Sequence, residues 1–213
     1  MSLYLPRAFD ERDLARLDAL AAAHPFASLV AVGDGAPRVS HAPVLYVRDG
    51  DHIELTWHLA RANPQAALGG RVLAMLHGPQ AYVSPGWYPD KAEQARVPTW
   101  NYVVAHLSGE VQAFDDEASL VDLLERLSTV HEARVAGDWR FDASDPRERV
   151  QLRGIVGFRL RVDRIEFKAK LSQNHPDANR RAVIDRLAAS ACAGDRDVAD
   201  WMRHTLESQT EGA

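Results

Sequence analysis

The sequence predicts a mainly β protein with flanking helices, an α+β fold whose strands make a closed or nearly closed antiparallel barrel. Three observations predict it. Apolar residues recur over 27–33, 38–47 and 52–58 around the turns Gly33-Asp-Gly-Ala-Pro37 and Asp49-Gly50-Asp51, which reads as an antiparallel meander. Two longer strand patterns run from Trp100 to Phe114 and from Gly154 to Lys170. The turns between strands are short, as expected of a barrel that needs no long connection.

The elements follow in chain order. Asp10 is a candidate N-cap, and Leu14, Leu17 and Ala21 at helical spacing give a first amphipathic helix. After the meander, Asn63-Pro64 opens a short helix, with asparagine capping and proline in the first turn, that ends at Gly69-Gly70. Strands resume at 71–77 and 80–84. The long strand from Trp100 leads into a helix capped by Asp115 or Asp116, with Leu120, Leu123, Leu124, Leu127 and His131 along one stripe. In the last strand Val156, Phe158, Leu160 and Val162 share a face, but beyond Asp163-Arg164 the apolar set moves to Ile165, Phe167 and Ala169. That one-residue slip of a period-two pattern calls for a bulge or a tight turn. Two helices, at about 177–191 and 195–206 and split at Gly194, are followed by a polar tail from Glu207 that is expected to fray.

Composition excludes several classes. A chain of 213 residues can bury roughly 70% of its unfolded surface, so it needs no staples. With 46% hydrophobic residues but no apolar stretch near twenty, no membrane span is expected. The single cysteine, Cys192, allows no intramolecular disulfide and is expected as a buried small hydrophobe in an alanine-rich helix. The N-terminus lacks the apolar length of a signal peptide, so a cytoplasmic protein is expected. The nine histidines include no i, i+4 pair, and no metal centre is expected. Neither a nucleophile elbow nor a Walker glycine loop is present.

The densest local signal is Gly78-Pro-Gln-Ala-Tyr-Val-Ser-Pro-Gly-Trp-Tyr88, followed by Pro98-Thr-Trp-Asn-Tyr102. Tyr82, Trp87, Tyr88, Trp100 and Tyr102 alternate with prolines that fix the backbone. Rigid backbone carrying amphipathic rings suits a planar ligand with polar edges, and equally a barrel rim or a subunit contact. A second signal is Thr56-Trp-His-Leu-Ala-Arg-Ala-Asn-Pro64. A strand running into a helix would set free N–H groups beside Thr56, His58 and Arg61, which is a phosphate-binding arrangement; Arg61 on a solvated first turn is the bland alternative.

His58-Leu-Ala-Arg-Ala-Asn-Pro64, the 78–88 run, Val97-Pro-Thr-Trp-Asn-Tyr102 and Lys170-Leu-Ser-Gln-Asn174, with the opening Tyr4-Leu-Pro-Arg-Ala-Phe9, together resemble the successive signatures of the PaiB family. The resemblance covers residues 4 to about 175 in order. It implies an FMN-binding negative transcriptional regulator on a flavin split β-barrel related to pyridoxamine phosphate oxidase, with FMN in grooves between two subunits. The resemblance divides the chain into an FMN-binding split-barrel domain, 1–175, and a helical extension, 176–213, packed on the barrel. Thr56, Trp57, His58, Arg61 and Asn63 then belong to the phosphate-binding strand-to-helix segment. Tyr82, Ser84, Trp100 and Asn101 would supply walls and edges for the flavin ring, and Lys170 and Gln173 would reach the phosphate or the ring. Trp87, Tyr88 and Lys91 would line an outer pocket or the dimer contact.

Three functions stay open. One is a dimeric FMN-binding regulator; another is an FMN-dependent oxidoreductase or flavin reductase acting on a small molecule, because fold and cofactor leave the chemistry undecided. The third is direct DNA binding, supported by eight basic residues between 147 and 170 but disfavoured by the net charge of −5 and by strand alternation, which places Arg159 and Arg161 on the solvent face.

Overall fold

The computed structural model describes residues 3–33, 35–67 and 69–211; Asp34, in the first turn, lies outside them. In order come α1 (Leu14–Ala23), β1 (Phe26–Gly33), β2 (Ala36–Pro43), β3 (Leu45–Asp49), β4 (His52–Ala60), β5 (Gly70–Val83), β6 (Thr99–Phe114), α2 (Glu117–Arg134), α3 (Pro146–Arg149), β7 (Ile155–Lys170), α4 (Asp177–Ala188) and α5 (Ala193–Glu211). The strands form one sheet in the order β2-β1-β5-β6-β7-β4-β3. Its edge strands, β2 and β3, are consecutive in the chain and separated only by Val44. A seven-stranded sheet whose two edges are one residue apart has to curl, and that makes it a barrel.

The chain divides into two compact units. The barrel unit, Ala15–Leu76 and His106–Ile165, contains a stretch of all seven strands. Its inner face takes Leu55, Trp57 and Leu59 of β4 opposite Leu160, Phe158 and Val156 of β7, and Trp57 stacks on Phe158 at 5.6 Å. The outer face at Leu45 is covered by Leu123 and Leu127 of α2. Helix α1 is stapled to β3 through Asp18, which accepts from Tyr46 Oη at 2.7 Å and from Arg48 Nε at 2.9 Å. Arg134, near the end of α2, donates to the free carbonyls of Ala22 and Ala23 at the end of α1, a C-cap supplied from another helix.

The second, helical unit comprises Met1–Leu14, His77–Ala105 and Glu166–Ala213. Helices α4 and α5 pack together, and each carries buried apolar residues, Val183, Ile184 and Leu187 on α4 and Val198, Ala199 and Met202 on α5. Phe167 meets Trp201 edge to face at 6.2 Å. The N-terminal segment is tied to β7 where Glu166 accepts from Leu3 N at 3.0 Å and Lys168 donates to Tyr4 O at 2.8 Å. The helices expected as an extension over 176–213 thus share a unit with 77–105 and 166–175.

Several expectations change. Asp10 is not the cap of α1; four residues before the helix begins, its backbone forms a β-bridge with Lys168 and its side chain accepts from Arg12. The strand expected over 38–47 is broken at Val44, whereas those expected at 71–77 and 80–84 are one strand through Pro79, since proline removes one donor without excluding extended backbone. No turn interrupts β7; the slip is absorbed by three successive exposed residues, Asp163, Arg164 and Ile165. Asp116, not Asp115, caps α2 by accepting from Ser119 N. The break between α4 and α5 falls at 189–192, and Gly194 lies in the first turn of α5. There Ser190 Oγ donates to Asp195 and accepts from Cys192 N, leaving Cys192 exposed in the connector rather than buried in a helix. Helix α5 runs past Glu207 to Glu211, where a frayed tail was expected.

Gly157 of β7 lies opposite His58, and a Cβ there would run into the Phe114 ring. Gly157→Ala is expected to cost about 1–3 kcal/mol in urea denaturation, as overpacking does. The loss should shrink in a Gly157→Ala, Phe114→Ala double variant; an unchanged loss would mean that the ring is not the obstacle.

Candidate functional site

Alternation along β4 separates the polar residues that sequence groups together. Thr56 and His58 face outward with Arg159 and Gly157, while Trp57 faces the barrel interior with Phe158. Thr56 is only 4% exposed and lines a cleft of about 280 Å³ with Phe114, Ser119, Leu123, Arg126 and Arg159. Three consecutive residues carry buried polar atoms with no hydrogen-bond partner among the described residues: Thr56 Oγ1, Trp57 Nε1 and His58 Nδ1. Each such atom costs about 1–3 kcal/mol of desolvation unless something binds it. Burial pushes the His58 imidazole below its usual value, so the ring is neutral and offers either a donor or an acceptor.

Beyond β4 the chain makes a 3-10 turn, Pro64–Ala67, in place of the expected helix. Its donors are taken: Gln65 N by Asn63 Oδ1 at 2.8 Å, Ala66 N by Asn63 O, and Asn63 N by Ala60 O. Asn63 also donates to Ser40 Oγ at 3.0 Å, and Gln65 Nε2 to Leu29 O at 3.0 Å, which pins the turn to β2 and β1. The row of free N–H groups expected from the sequence does not form. Arg61 is likewise not free at a helix start. Its Nε donates to Arg153 O and its Nη2 to Ile155 O, both at 3.1 Å, and both Nη atoms reach Asp115 Oδ2 at 3.3 Å.

Arg61 and Asp115 open onto a cleft of about 680 Å³, lined also by Glu117, Leu120, Arg149, Leu152 and Arg153. A volume of this size suits a cofactor-sized ligand. The three guanidinium groups come from β4's end, α3 and the turn before β7. Sequence reading missed Arg149 and Arg153 as site residues because they are about ninety positions from Arg61, and their only signal was a general excess of basic residues.

In the helical unit Tyr82 and Trp100, 46% and 52% exposed, meet edge to face at 6.2 Å and present open aromatic surface. Lys170 donates to Thr99 Oγ1 and to Trp100 O at 2.9 Å, and burial lowers its pKa. Asn101, expected at a ligand edge, is 0% exposed. Its amide exchanges hydrogen bonds with Ser172 Oγ, 3.0 and 3.1 Å, and contacts Met202 Sδ. Gln173 accepts from Leu171 N and donates to Ala169 O, and Ser84 accepts from Gly86 N. These three shape the backbone instead of lining an open surface. Ser172 sits at φ 64, a conformation costing about 1–3 kcal/mol, and its bonds to Asn101 hold it there.

Of the residues expected in an outer pocket, Lys91 donates to Gly86 O, Trp87 is half-buried, and Tyr88 is buried at 1% exposure. The Tyr88 ring stacks on His175 at 4.7 Å, and the Arg96 guanidinium lies 5.7 Å from its centroid. Asp90 holds Arg96 and also accepts from Asn179 of α4 at 3.0 Å, bracing the 84–98 loop. Burial lowers the His175 pKa, with Arg96 and Lys170 adding to it and Asp90 opposing it.

With His58 and His175 both depressed, the unfolded chain binds more protons than the folded one just below pH 6.5, so stability is present above that pH and is lost as pH falls through it. Chemical denaturation should therefore show a drop between pH 7.5 and 5.5 that is smaller in a His58→Gln, His175→Gln double variant. The same drop in both proteins would clear these two rings of the effect.

The class comes first from the fold. Among solved structures, the chain is similar to the FAD and heme binding protein from Mycobacterium smegmatis, with TM-score 0.56 at 20% identity over 76% of this chain and 73% of that one. It is also similar to the flavocytochrome Anf3 from Azotobacter vinelandii, with TM-score 0.54 at 15% identity over 78% and 72%. At such identities they show the fold, a split barrel with flanking helices. Residues 3–164 match the family described as "Putative FMN-binding domain", and the chain belongs to that family, whose cofactor is FMN. A curated relative, protease synthase and sporulation protein PAI 2 of Bacillus subtilis, is 28% identical over 211 residues, 97% of this chain and all of that protein, in line with the PaiB resemblance. The donors of the barrel unit fit the phosphate end of the cofactor, with three guanidinium groups on one cleft and unpartnered polar atoms of Thr56 and His58 on the outer face of β4. In the helical unit, exposed indole and phenol rings offer surface for a flat heterocycle.

Proposed function

We propose that this protein is a PaiB-like FMN-binding regulator that works as a homodimer in the cytoplasm. The observation that carries the FMN assignment is the pair of buried polar atoms without partners on the outward-facing Thr56 and His58, in a chain of the FMN-binding family. In the barrel unit, Arg61 and the outer face of β4 would hold the phosphate end. In the helical unit, Tyr82 and Trp100 offer aromatic surface to a flavin ring and Lys170 offers a polar edge. Bound FMN supplies one- and two-electron transfer. The protein's residues bind it, orient it and exclude water.

The dimer is supported by an apolar sheet face. Phe26, Val32 and Val39 are 60%, 60% and 54% exposed, and Val30 sits in register with Val39 on one side and Leu73 on the other. A self-complementary apolar face of this kind suits a two-fold contact with a second copy. An exposed free cysteine fits a reducing compartment, and no helix among the described residues is long and apolar enough to cross a membrane.

Regulation through direct DNA reading has little support. Arg149 pairs with Glu117 and Arg159 with Glu54, and Arg159 also lies over the Phe114 ring, so part of the basic stretch is already engaged. Duplex DNA binding should stay at the nonspecific level, about 10⁻⁴ to 10⁻⁶ M at physiological salt, and nanomolar sequence-selective binding in a mobility-shift titration would overturn this. A second reading, an FMN-dependent oxidoreductase acting on a small molecule, is favoured by the exposed Tyr82–Trp100 surface beside a desolvated lysine. Anaerobic reduction of bound flavin by a nicotinamide donor, followed in the visible spectrum, separates the two.

The test of the cofactor is direct. Freshly purified protein is expected to show flavin absorbance or to acquire it with added FMN. FMN at one hundred times its Kd should add about 2.7 kcal/mol of stability, with riboflavin adding less. Trp100→Ala should weaken FMN and riboflavin alike, because it acts at the ring. Absence of any flavin effect on spectrum or Tm would sink the assignment, and a monomer by light scattering at micromolar concentration would sink the dimer.

A further inference from the structure

Resting on the FMN reading above, we propose that Arg149 and Arg153 complete the phosphate end of the site with Arg61, and that Asp115 and Glu117 are exchangeable counter-ions that gate this cleft. The argument begins with how Arg61 is held. Two backbone carbonyls, of Arg153 and Ile155, fix one side of the guanidinium at 3.1 Å. The remaining Nη donors meet only the Asp115 carboxylate, at 3.3 Å. The first set orients the fork; the second is replaceable. The Arg61–Asp115 pair is long and its side chains are 48% and 63% exposed, and exposed pairs of this kind contribute little net energy.

Arg149 is arranged in the same way. It pairs with Glu117 at 2.7 Å with both side chains more than half exposed. Arg153, whose carbonyl orients Arg61, carries no ion pair on its own guanidinium among the described residues. All five charged groups line one cleft, over a floor that includes the buried Leu120 and Leu152. Three cations against two carboxylates leave a net charge of one. A monoanion gains little by entering, because it must compete with carboxylates already seated. A phosphate dianion offers three acceptor oxygens and can take the place of Asp115 at Arg61 while Arg149 and Arg153 close on it, making several charge-assisted bonds together.

The gate also sits where it can be felt. Asp115 directly follows Phe114, the ring packed over Gly157, and directly precedes Asp116, the cap of α2. Exchange of Asp115 for a phosphate therefore takes place at the joint between β6 and α2.

The experiment titrates FMN, riboflavin and inorganic phosphate into wild type, Arg149→Ala, Arg153→Ala, the double variant and Asp115→Asn, in phosphate-free buffer at low salt, by flavin fluorescence and by Tm. Each arginine variant is expected to weaken FMN about tenfold, the loss of one charge-assisted bond, with riboflavin unchanged. Asp115→Asn is expected to tighten FMN severalfold, an advantage that fades as salt rises; a gain of affinity cannot come from misfolding. Unchanged FMN affinity in the double variant, or equal losses for FMN and riboflavin, overturns the proposal while leaving FMN binding intact. Should wild type bind no flavin, the FMN reading fails, and phosphate then decides the cleft. A Tm rise with phosphate in wild type that is absent from the double variant upholds the anion site, and no rise in either overturns it.

Discussion

One residue, Val44, joins strands that stand at opposite edges of a seven-stranded sheet, and the arrangement of the barrel unit follows from it. A sheet so connected cannot stay open, so it acquires an inside and an outside. The inside collects the apolar positions of β4 and β7. The outside at Leu45 and Thr56 is covered by α2. β4 thus has both faces covered, and the polar atoms at 56, 57 and 58 are buried wherever their side chains point. A buried polar atom without a partner is costly, and such a cost is tolerated most readily where a ligand relieves it.

Two aspartate–arginine contacts show how exposure separates structure from exchange. Asp18 accepts from Tyr46 and from both Nε and Nη2 of Arg48, down to 2.5 Å. The hydrogen bond from Arg48 holds its carboxyl below the usual range, and burial, with the bond to Asp18, raises the Tyr46 pKa. That network fastens α1 to β3. Asp115 offers Arg61 one oxygen at 3.3 Å from an exposed position, while the backbone carbonyls supply the order. The same residue types make a staple in one place and a placeholder in the other.

The helical unit obeys a different constraint. Ser172 is held at positive φ by a reciprocal hydrogen-bond pair with the fully buried Asn101, and Gln173 closes the same turn on itself. The product of these bonds is the position of Lys170 at the end of β7, beside Trp100. Motif residues here act by shaping backbone, which explains why polar residues of a shared signature can be sealed from solvent.

How much was legible in the sequence depends on the range of the interaction. The period-two run of β7, the leucine stripe of α2, and asparagine capping at 63 were readable because they are set by neighbours within a few residues. The four motifs were readable as a family pattern for the same reason. Local patterns misled where another partner won: the Asp10 backbone bridges Lys168 while its side chain binds Arg12, Asn101 pairs with Ser172 seventy-one positions on, and Cys192 lies in an exposed connector set by Ser190. The sequence by itself determined the mainly antiparallel β fold and most of the flanking helices. Only the tertiary structure decided that Arg61, Arg149 and Arg153 share one cleft and that Thr56, on the outer face of β4, is buried under α2. Pairing between residues ninety positions apart, and the contest of carboxylate and carbonyl for one guanidinium, exist only once the sheet has closed.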